Sequence, residues 1–352
     1  MQGIIEQFAQ SIRSAAEDAA PLCIRAGGSK DFYGGALAGA PLDVSAYAGV
    51  IEYEPGELIL SARAGTPLAE VESLLAAHGQ MLAFEPPHFG THATLGGCVA
   101  AGLSGPRRPC AGAVRDFMLG VRMLDGRGRE LRFGGRVMKN VAGYDVSRLM
   151  AGAMGTLGVL LDITLKVLPL PERELTLSYE MPESEAIAAM NHWAGRPLPI
   201  SASSFHDGML ALRLSGAESA LAAARARLGG EEMKNGDAFW RALREHEAQF
   251  FGTDAPLWRI AMKSSAPPLV LPGAQWLEWG GALRWYAGAA DAQQVRGQAA
   301  AAGGHATLFR CSEKPVEVFQ PLAPALLQVH RRLKRAFDPA GIFNRGRLYA
   351  EF

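Results

Sequence analysis

No charge of one sign prevails in this 352-residue sequence: Lys+Arg and Asp+Glu each number 35. A formally neutral chain offers no broad field to draw nucleic acid or an anionic membrane surface. Cysteine is scarce, and Cys23, Cys98, Cys110 and Cys311 stand far apart with no C-x-x-C pair. That spacing argues against a zinc ribbon, an iron–sulfur cluster or a disulfide framework, and it fits a reducing cytoplasm. Long apolar runs are missing too. The longest weakly polar stretch, Met150 to Leu161, is too short and too glycine-rich to span a bilayer. The N-terminus carries Glu6, Glu17 and Asp18 without a long apolar core, so no signal peptide is expected. Also absent are a P-loop, G-x-x-x-x-G-K-[ST], and a Rossmann G-x-G-x-x-G that leaves a strand and opens a helix.

What is plentiful is glycine, 41 residues gathered into particular loops. Small residues let the backbone N–H groups of a loop approach a flat, anionic ligand closely. Ile4, Ile5, Phe8 and Ile12 fall on one face of a first helix. Strands are expected at 22–25, 42–45, 49–53 and 58–62, followed by a helix that Thr66 caps, with Pro67 in its first turn and Glu70 completing a capping box. Between the first two strands lies Arg25-Ala26-Gly27-Gly28-Ser29-Lys30-Asp31. It reads either as an ordinary turn or as a pyrophosphate cradle, in which glycines expose N–H donors, Ser29 adds a hydroxyl and Lys30 a charge. Further on, Gly152-x-x-Gly155-x-x-Gly158 precedes the strand 159–168 and so is the wrong way round for a dinucleotide-binding loop. Asp125-Gly126 and Gly128 turn a hairpin between 121–124 and 130–133.

From Glu172 the texture changes to a loose repeat of β-α-β-β-α-β order, which predicts an antiparallel sheet with helices on one face, ferredoxin-like and duplicated. His206-Asp207-Gly208 sits between two strands as a hairpin turn, and Gly280-Gly281 turns another. The tail carries a basic amphipathic helix. Leu326, Val329, Leu333 and Phe337 lie on its apolar side, and His330, Arg331, Arg332, Lys334 and Arg335 form a face expected to be solvated. Asn344-Arg345-Gly346-Arg347 is a turn able to bring an arginine near an anion. The expected division is residues 1–171 as a first domain (subdomains about 1–82 and 83–171), 172–315 as a cap, and 316–352 as a helix and tail returning to the first domain.

Taken together, RAGGSKDFYG at 25–34, ATLGGCVAAGLSGP at 93–106, KNVAGYDVSRLMAGAMGTLGV at 139–159 and FDPAGIFNRGR at 337–347 resemble the vanillyl-alcohol-oxidase/PCMH superfamily of FAD-binding flavoproteins. Within it the chain is most similar to the FAD-binding (E) subunits of bacterial glycolate oxidases, in order and over essentially its whole length. The resemblance implies an α+β fold, a PCMH-type FAD-binding domain of two α+β subdomains plus the cap. It implies FAD held by Arg25, Ala26, Gly27, Gly28, Ser29, Lys30 and Asp31 at the pyrophosphate. Pro86, Thr94, Leu95, Gly96, Gly97, Gly102, Ser104 and Gly105 would follow along the flavin, ribityl chain and phosphates, with Gly112, Asp116, Gly155, Thr156, Gly158 and Val159 as further contacts. Relatives that attach flavin covalently often carry a histidine in the first loop, where this chain has Ser29 and Lys30, so noncovalent FAD is expected. No metal site is expected. Arg345 stands where relatives have proline.

The H-x-G-D-G-N-x-H run of catalytic 2-hydroxy-acid relatives is absent. The implied function is therefore that of an FAD-binding subunit supporting oxidation of glycolate to glyoxylate, beside a homologous flavin subunit and an iron–sulfur subunit, cytoplasmic or peripheral to the inner membrane through those partners. A self-sufficient FAD-dependent 2-hydroxy-acid (D-lactate-type) dehydrogenase and a non-catalytic, flavin-bound assembly subunit are the alternatives. A homodimer of the isolated chain is an arrangement that an uncovered partner surface allows. Should the chain itself oxidise a hydroxy acid, an arginine must hold the carboxylate and a base must take the hydroxyl proton. The candidates are Arg284 and Arg310 for the carboxylate, His305 for the base, Trp285 as a cover, and Tyr144 and Lys139 from the segment leading to the flavin-loop glycines.

Overall fold

The computed structural model describes residues 1–135 and 144–352. Its first part is built on a five-stranded antiparallel sheet of order β3-β4-β8-β6-β7, from β3 (Val50–Glu54), β4 (Ile59–Arg63), β6 (Met118–Leu124), β7 (Glu130–Gly134) and β8 (Val159–Lys166). A parallel pair, β1 (Leu22–Arg25) with β2 (Ala40–Asp43), and a short pair, β5 (Gln80–Met81) with β9 (Leu168–Pro169), complete it. Strand β8 explains why the sheet forms: Val159, Leu161, Ile163 and Leu165 alternate with half-buried neighbours, the period-two pattern of a strand with one face in a core. Helix α1 (Gln2–Glu17) lays Ile5, Phe8 and Ile12 over Val159 and Leu161, joined by Ile342 and Phe343 from the far end of the chain. Helices α2 (Leu68–Ala76) and α3 (Leu95–Ala101) close the other core with Leu68, Val71, Leu75, Leu95 and Val99. Each such fully buried aliphatic side chain contributes about 1.5–3 kcal/mol.

Thr66 does not cap α2. The helix begins after Pro67, and Thr66 Oγ1 instead donates to the carbonyl of Arg63 and accepts the N–H of Gly49, fastening the turn after β4 to the loop before β3. Short helices α4 (Arg108–Ala111), α5 (Val114–Phe117) and α6 (Val146–Leu149) fill the connections around β6 and β7.

The second part is one eight-stranded antiparallel sheet of order β13-β10-β12-β11-β15-β16-β14-β17. Its strands are β10 (Arg173–Glu180), β11 (Ile200–His206), β12 (Met209–Gly216), β13 (Glu231–Glu232), β14 (Leu257–Ala261), β15 (Ala274–Glu278), β16 (Leu283–Ala287) and β17 (His305–Arg310). Each half has the 4-1-3-2 order of a ferredoxin-like unit, and the halves join where β11 pairs antiparallel with β15. The β11–β12 hairpin turns on Asp207 (φ 48°) and Gly208 (φ 76°), the positive pair of a tight two-residue turn. Helices α7 (Glu183–Ala194), α8 (Glu218–Leu228) and α10 (Ala292–Ala301) cover one face. Helix α9 (Gly236–Glu245) and Phe250–Phe251 pack instead on the opposite face, between this sheet and residues Tyr33, Leu103 and Met154 of the first part.

Helix α11 (Pro324–Phe337) leans back on the first part through Leu333 and Phe337, while Leu326 and Val329 stay exposed. Its basic face is not uniformly solvated. Lys334 is buried, pairs with Asp338 at 2.8 Å and donates to the carbonyls of Thr156 and Phe343, also at 2.8 Å. Asp338 in turn accepts the N–H groups of Ile342 and Phe343. The charge is thus consumed in tying the tail to the 153–158 loop. Among the described residues no helix is long and apolar enough to cross a membrane.

Candidate cofactor cradle and interdomain cavity

The loop Arg25–Asp31 leaves β1 and lines a cavity of about 90 Å³ together with Leu37, His92, Thr94, Gly97 and Ala100. The loop can lie this close to its neighbour only because residue 27 has no side chain: a Cβ there would run into the carbonyl oxygen of His92. Gly28 takes φ +71°, a conformation that disfavours a side chain. Among the described residues, the N–H groups of Gly27, Gly28, Ser29 and Lys30 donate to no other protein group. Four consecutive free donors make a concave, electropositive nest.

Charge adds to it. Lys30 is buried, its ammonium held by the carbonyl of His88 at 3.1 Å and by Ser29 Oγ at 3.4 Å, with no carboxylate paired to it. Burial pulls its pKa down, opposed by the neighbouring Cys98 and Glu245. Arg25 is paired with Asp31 at 2.6 Å. Arg347 reaches the cavity but spends its guanidinium on the carbonyls of Asp31, Tyr33 and Gly35, so it shapes the loop. Asn344 is the second shaping residue: its carbonyl oxygen takes the N–H of Ile24 at 2.7 Å and its amide donates to Met154 O at 2.7 Å. The donor set fits a diphosphate, which needs backbone N–H groups, a hydroxyl and an ammonium on one side.

The remaining expected contacts divide. Thr94 and Gly97 line the same cavity, with Thr94 Oγ1 capping α3 by accepting the Gly97 N–H at 3.2 Å. Leu95 and Gly96 have their N–H groups engaged by the carbonyls of Thr66 and Ala64, and Leu95 is wholly buried. Ser104 and Gly105 line a different cavity, described below. Gly102 terminates α3, and Gly112 abuts Asp116, which accepts the N–H of Ala113. Thr156 bonds the carbonyl of Ala153, Val159 begins β8 in the core, and Gly155 and Gly158 press on Asn344 and on Leu124. Pro86 is buried beside the interface and lines neither cavity. Sequence reasoning missed His92, Met154 and Asn344; only the FNRGR turn carried a signal for the last.

The expected catalytic candidates do not meet. Arg284 is fully buried on the face of the sheet turned toward α7 and α10, since β16 pairs it with Ile260 and Leu277. It donates to the carbonyls of Gly281, Pro267 and Ala266, so it braces a loop. His305 is exposed at the start of edge strand β17. Arg310 donates to Phe251 O at 3.2 Å, its guanidinium 5.1 Å from the Phe32 ring centroid. Tyr144 is 92% exposed, and Lys139 lies outside the described residues. Trp285 does face the first part, donating to Glu278 at 2.6 Å.

A second, smaller cavity of about 20 Å³ lies between the two parts, lined by Ser104 and Gly105 from one and by His246, Arg259, Glu278 and Trp285 from the other. Burial raises the Glu278 carboxyl to about 7, against the hydrogen bond from Trp285 and the charge of Arg259. Burial, then the charges of Arg310 and Arg259, holds His246 neutral, well below the usual imidazole range. Close by, five residues staple the parts together. Glu85 accepts the N–H and Nε of Arg107, and Arg213 at 2.8 Å; Glu174 takes the other side of Arg107 and the hydroxyl of Ser215.

Comparison with known proteins agrees with this geometry. Residues 4–134 match the family model described as FAD binding domain, and 314–348 that described as FAD linked oxidases, C-terminal domain. The glycolate oxidase subunit GlcE of Escherichia coli (strain K12) is 48% identical over 350 residues, 99% of this chain and 97% of that one. The chain belongs to the GlcE family. More distantly, the glycolate oxidase subunit GlcD of Bacillus subtilis (strain 168) is 38% identical over 84 residues, 24% of this chain and 18% of that one. A D-lactate dehydrogenase of Archaeoglobus fulgidus is 28% identical over 56% of this chain and 44% of its own length. Among solved structures, an alkyldihydroxyacetonephosphate synthase superposes with TM-score 0.66 at 14% identity over 96% of this chain and 75% of that one, which shows the shared fold.

Proposed function

We propose that this chain is the FAD-binding subunit of a glycolate oxidase assembly, supporting the oxidation of glycolate to glyoxylate. The observation that carries the reading is the nest of free N–H groups from Gly27 to Lys30, with the unpaired Lys30 ammonium beside it. Among the described residues no group accepts a hydrogen bond from these N–H donors, and a diphosphate would. The flavin supplies the two-electron acceptor for the hydroxy acid when bound. The chain's own residues bind it noncovalently: Ala26 to Lys30 grip the diphosphate, and Asn344 and Arg347 keep the loop in shape. Thr94 and Gly97 line the cavity of the nest and Ser104 and Gly105 the interdomain cavity, and we assign the stretch that joins them, with Gly112 and Asp116, to the remaining flavin contacts. We also assign residues 1–171 to FAD binding, 172–315 to the cap and 316–352 to the returning tail.

The partners proposed are a homologous flavin subunit and an iron–sulfur subunit, with the assembly cytoplasmic and held near the inner membrane by them. The test is the absorbance spectrum of the purified chain before and after denaturation. A flavin band that survives gel filtration and is released on unfolding supports the reading, and a chain that takes up no flavin on reconstitution overturns it. Adding glycolate anaerobically, to the chain alone and to the reconstituted assembly, separates a supporting subunit from a self-sufficient dehydrogenase.

A further inference from the structure

The second part reaches the cofactor nest through one carboxylate. Glu245, the last residue of α9, accepts the backbone N–H of His88 at 2.9 Å and that of Phe89 at 3.0 Å on the same oxygen, Oε2. Its Oε1 accepts Nε of Arg244 at 2.7 Å, and the side chain is 11% exposed. A carboxylate on the last residue of a helix lies at the negative end of the helix dipole, so this position is unfavourable for α9 itself. The beneficiary is the loop. Phe89 is held at φ 52°, and a non-glycine residue keeps such a left-handed conformation only where its surroundings fix it. The His88 ring adds a second tie, to Glu72 of α2 at 2.9 Å.

What Glu245 holds is one wall of the nest. The His88 carbonyl accepts from the Lys30 ammonium at 3.1 Å, and that ammonium lies 5.7 Å from the centroid of the Phe89 ring. At the far end of the same loop, the His92 carbonyl limits residue 27 to glycine. The Phe89 ring meanwhile packs on His246 and Phe309 of the second part, with centroids 5.0 and 6.1 Å apart. We propose that Glu245 is a positioning residue of the cofactor site: by anchoring His88 and Phe89 it makes a formed diphosphate nest conditional on the docking of the second part. Cofactor binding and docking then favour each other by the same factor. That the ligand of the nest is FAD rests on the function proposed above.

The test pairs two measurements on the full-length chain. One is FAD affinity by equilibrium dialysis; the other, on the flavin-free chain, is acylation of Lys30 by acetic anhydride, read by mass spectrometry against exposed Lys234. Glu245→Met keeps the bulk and removes the acceptor. It is expected to weaken FAD about tenfold or more, the scale of leaving a buried donor unmet, and to speed Lys30 acylation. Glu245→Gln keeps an oxygen for the two N–H groups and is expected to restore wild-type affinity. Glu174→Ala loosens the same interface away from the loop, and is expected to lower the urea midpoint while leaving both readouts unchanged. Wild-type affinity or wild-type Lys30 acylation in Glu245→Met overturns the proposal. So does an equal loss of affinity in Glu245→Gln, which assigns the effect to charge, or in Glu174→Ala, which assigns it to general stability. Should Glu245→Met misfold, Glu245→Asp withdraws the acceptor by one methylene and is expected to weaken FAD in the same sense; unchanged affinity there overturns the proposal. Should wild type take up no FAD, the cofactor reading falls and Lys30 acylation decides this one: faster labelling in the variant supports the positioning, and equal rates overturn it.

Discussion

Replacing Glu85 by alanine should weaken the protein more than the loss of any surface ion pair. Glu85 lies in the first part, and its carboxylate accepts the Arg107 N–H at 2.7 Å and Arg213 Nη2 at 2.8 Å, the latter from β12 of the sheet above. Side-chain exposures are 9% for Arg107, 5% for Arg213 and 15% for Glu85, so little water is available to replace it. The alanine variant leaves Glu174 as the single carboxylate for two guanidiniums. Glu174 is itself 25% exposed and 4.0 Å from Arg213. Removing one member of a buried pair costs about 3–5 kcal/mol, and the residual pairing with Glu174 places the loss at roughly 3. Urea denaturation followed by tryptophan fluorescence reads it directly, since Trp240 donates to Thr176 beside this cluster and underlies Arg213 at 5.1 Å. A double-mutant cycle with Arg213→Met should return a coupling of more than about 1 kcal/mol. A loss below about 1 kcal/mol for Glu85→Ala, the worth of an exposed pair, would refute the view that this cluster is dry and joins the two parts.

Other perturbations have equally definite outcomes. Glu278 carries a raised folded-state pKa, so the folded chain holds an extra proton between 4.5 and about 7, and stability falls as pH rises through that window. Glu278→Gln should remove that slope and leave the variant about 3 kcal/mol more stable relative to wild type at pH 8 than at pH 4, read from denaturation midpoints. Glu174 works in the opposite sense: burial raises its pKa, but Arg213 and Arg107 pull it below the usual carboxylate value, so its contribution is lost on acidification below about 4.5. Gly27→Val should abolish flavin retention, because the side chain collides with the His92 carbonyl. Lys30→Met should fold as wild type, relieved of a buried charge, yet bind FAD about tenfold or more weakly by equilibrium dialysis.

Local patterns in the sequence carried much of this. The alternation in β8, the face of α1, and the Asp207-Gly208 and Gly280-Gly281 turns are set by neighbours a few residues apart, and they stand where periodicity and turn chemistry put them. The repeat after Glu172 likewise announced the duplicated sheet. What was illegible depended on partners far along the chain. Arg284 and Trp285 are adjacent, and only the pleat decides which one faces the first part; the indole does. Lys334 sits in a run of exposed bases, and nothing nearby foretells Thr156 and Phe343, 178 and 9 residues away, as its acceptors. Arg259 lies between Trp258 and Ile260, whose apolar side chains turn toward α10, and that alternation was the one available hint that the charge points inward. The glycine loop was readable as a nest or a turn, and choosing between them needed the closeness of His92.

The pairing of β11 with β15 makes a single beam of two similar halves, and each half is bolted to the first part by a different material. One bolt is ionic, Arg213 and Glu174 on Glu85 and Arg107. The other is aromatic: Phe309 packs against Phe32, Tyr33 and Phe89. Chloride salts screen the first bolt wherever water reaches it and spare the second, whereas sulfate strengthens the second by its exclusion from apolar surface. Either salt therefore leaves the ionic half as the weaker end of the beam, and a protease should nick that half first in chloride and in sulfate alike.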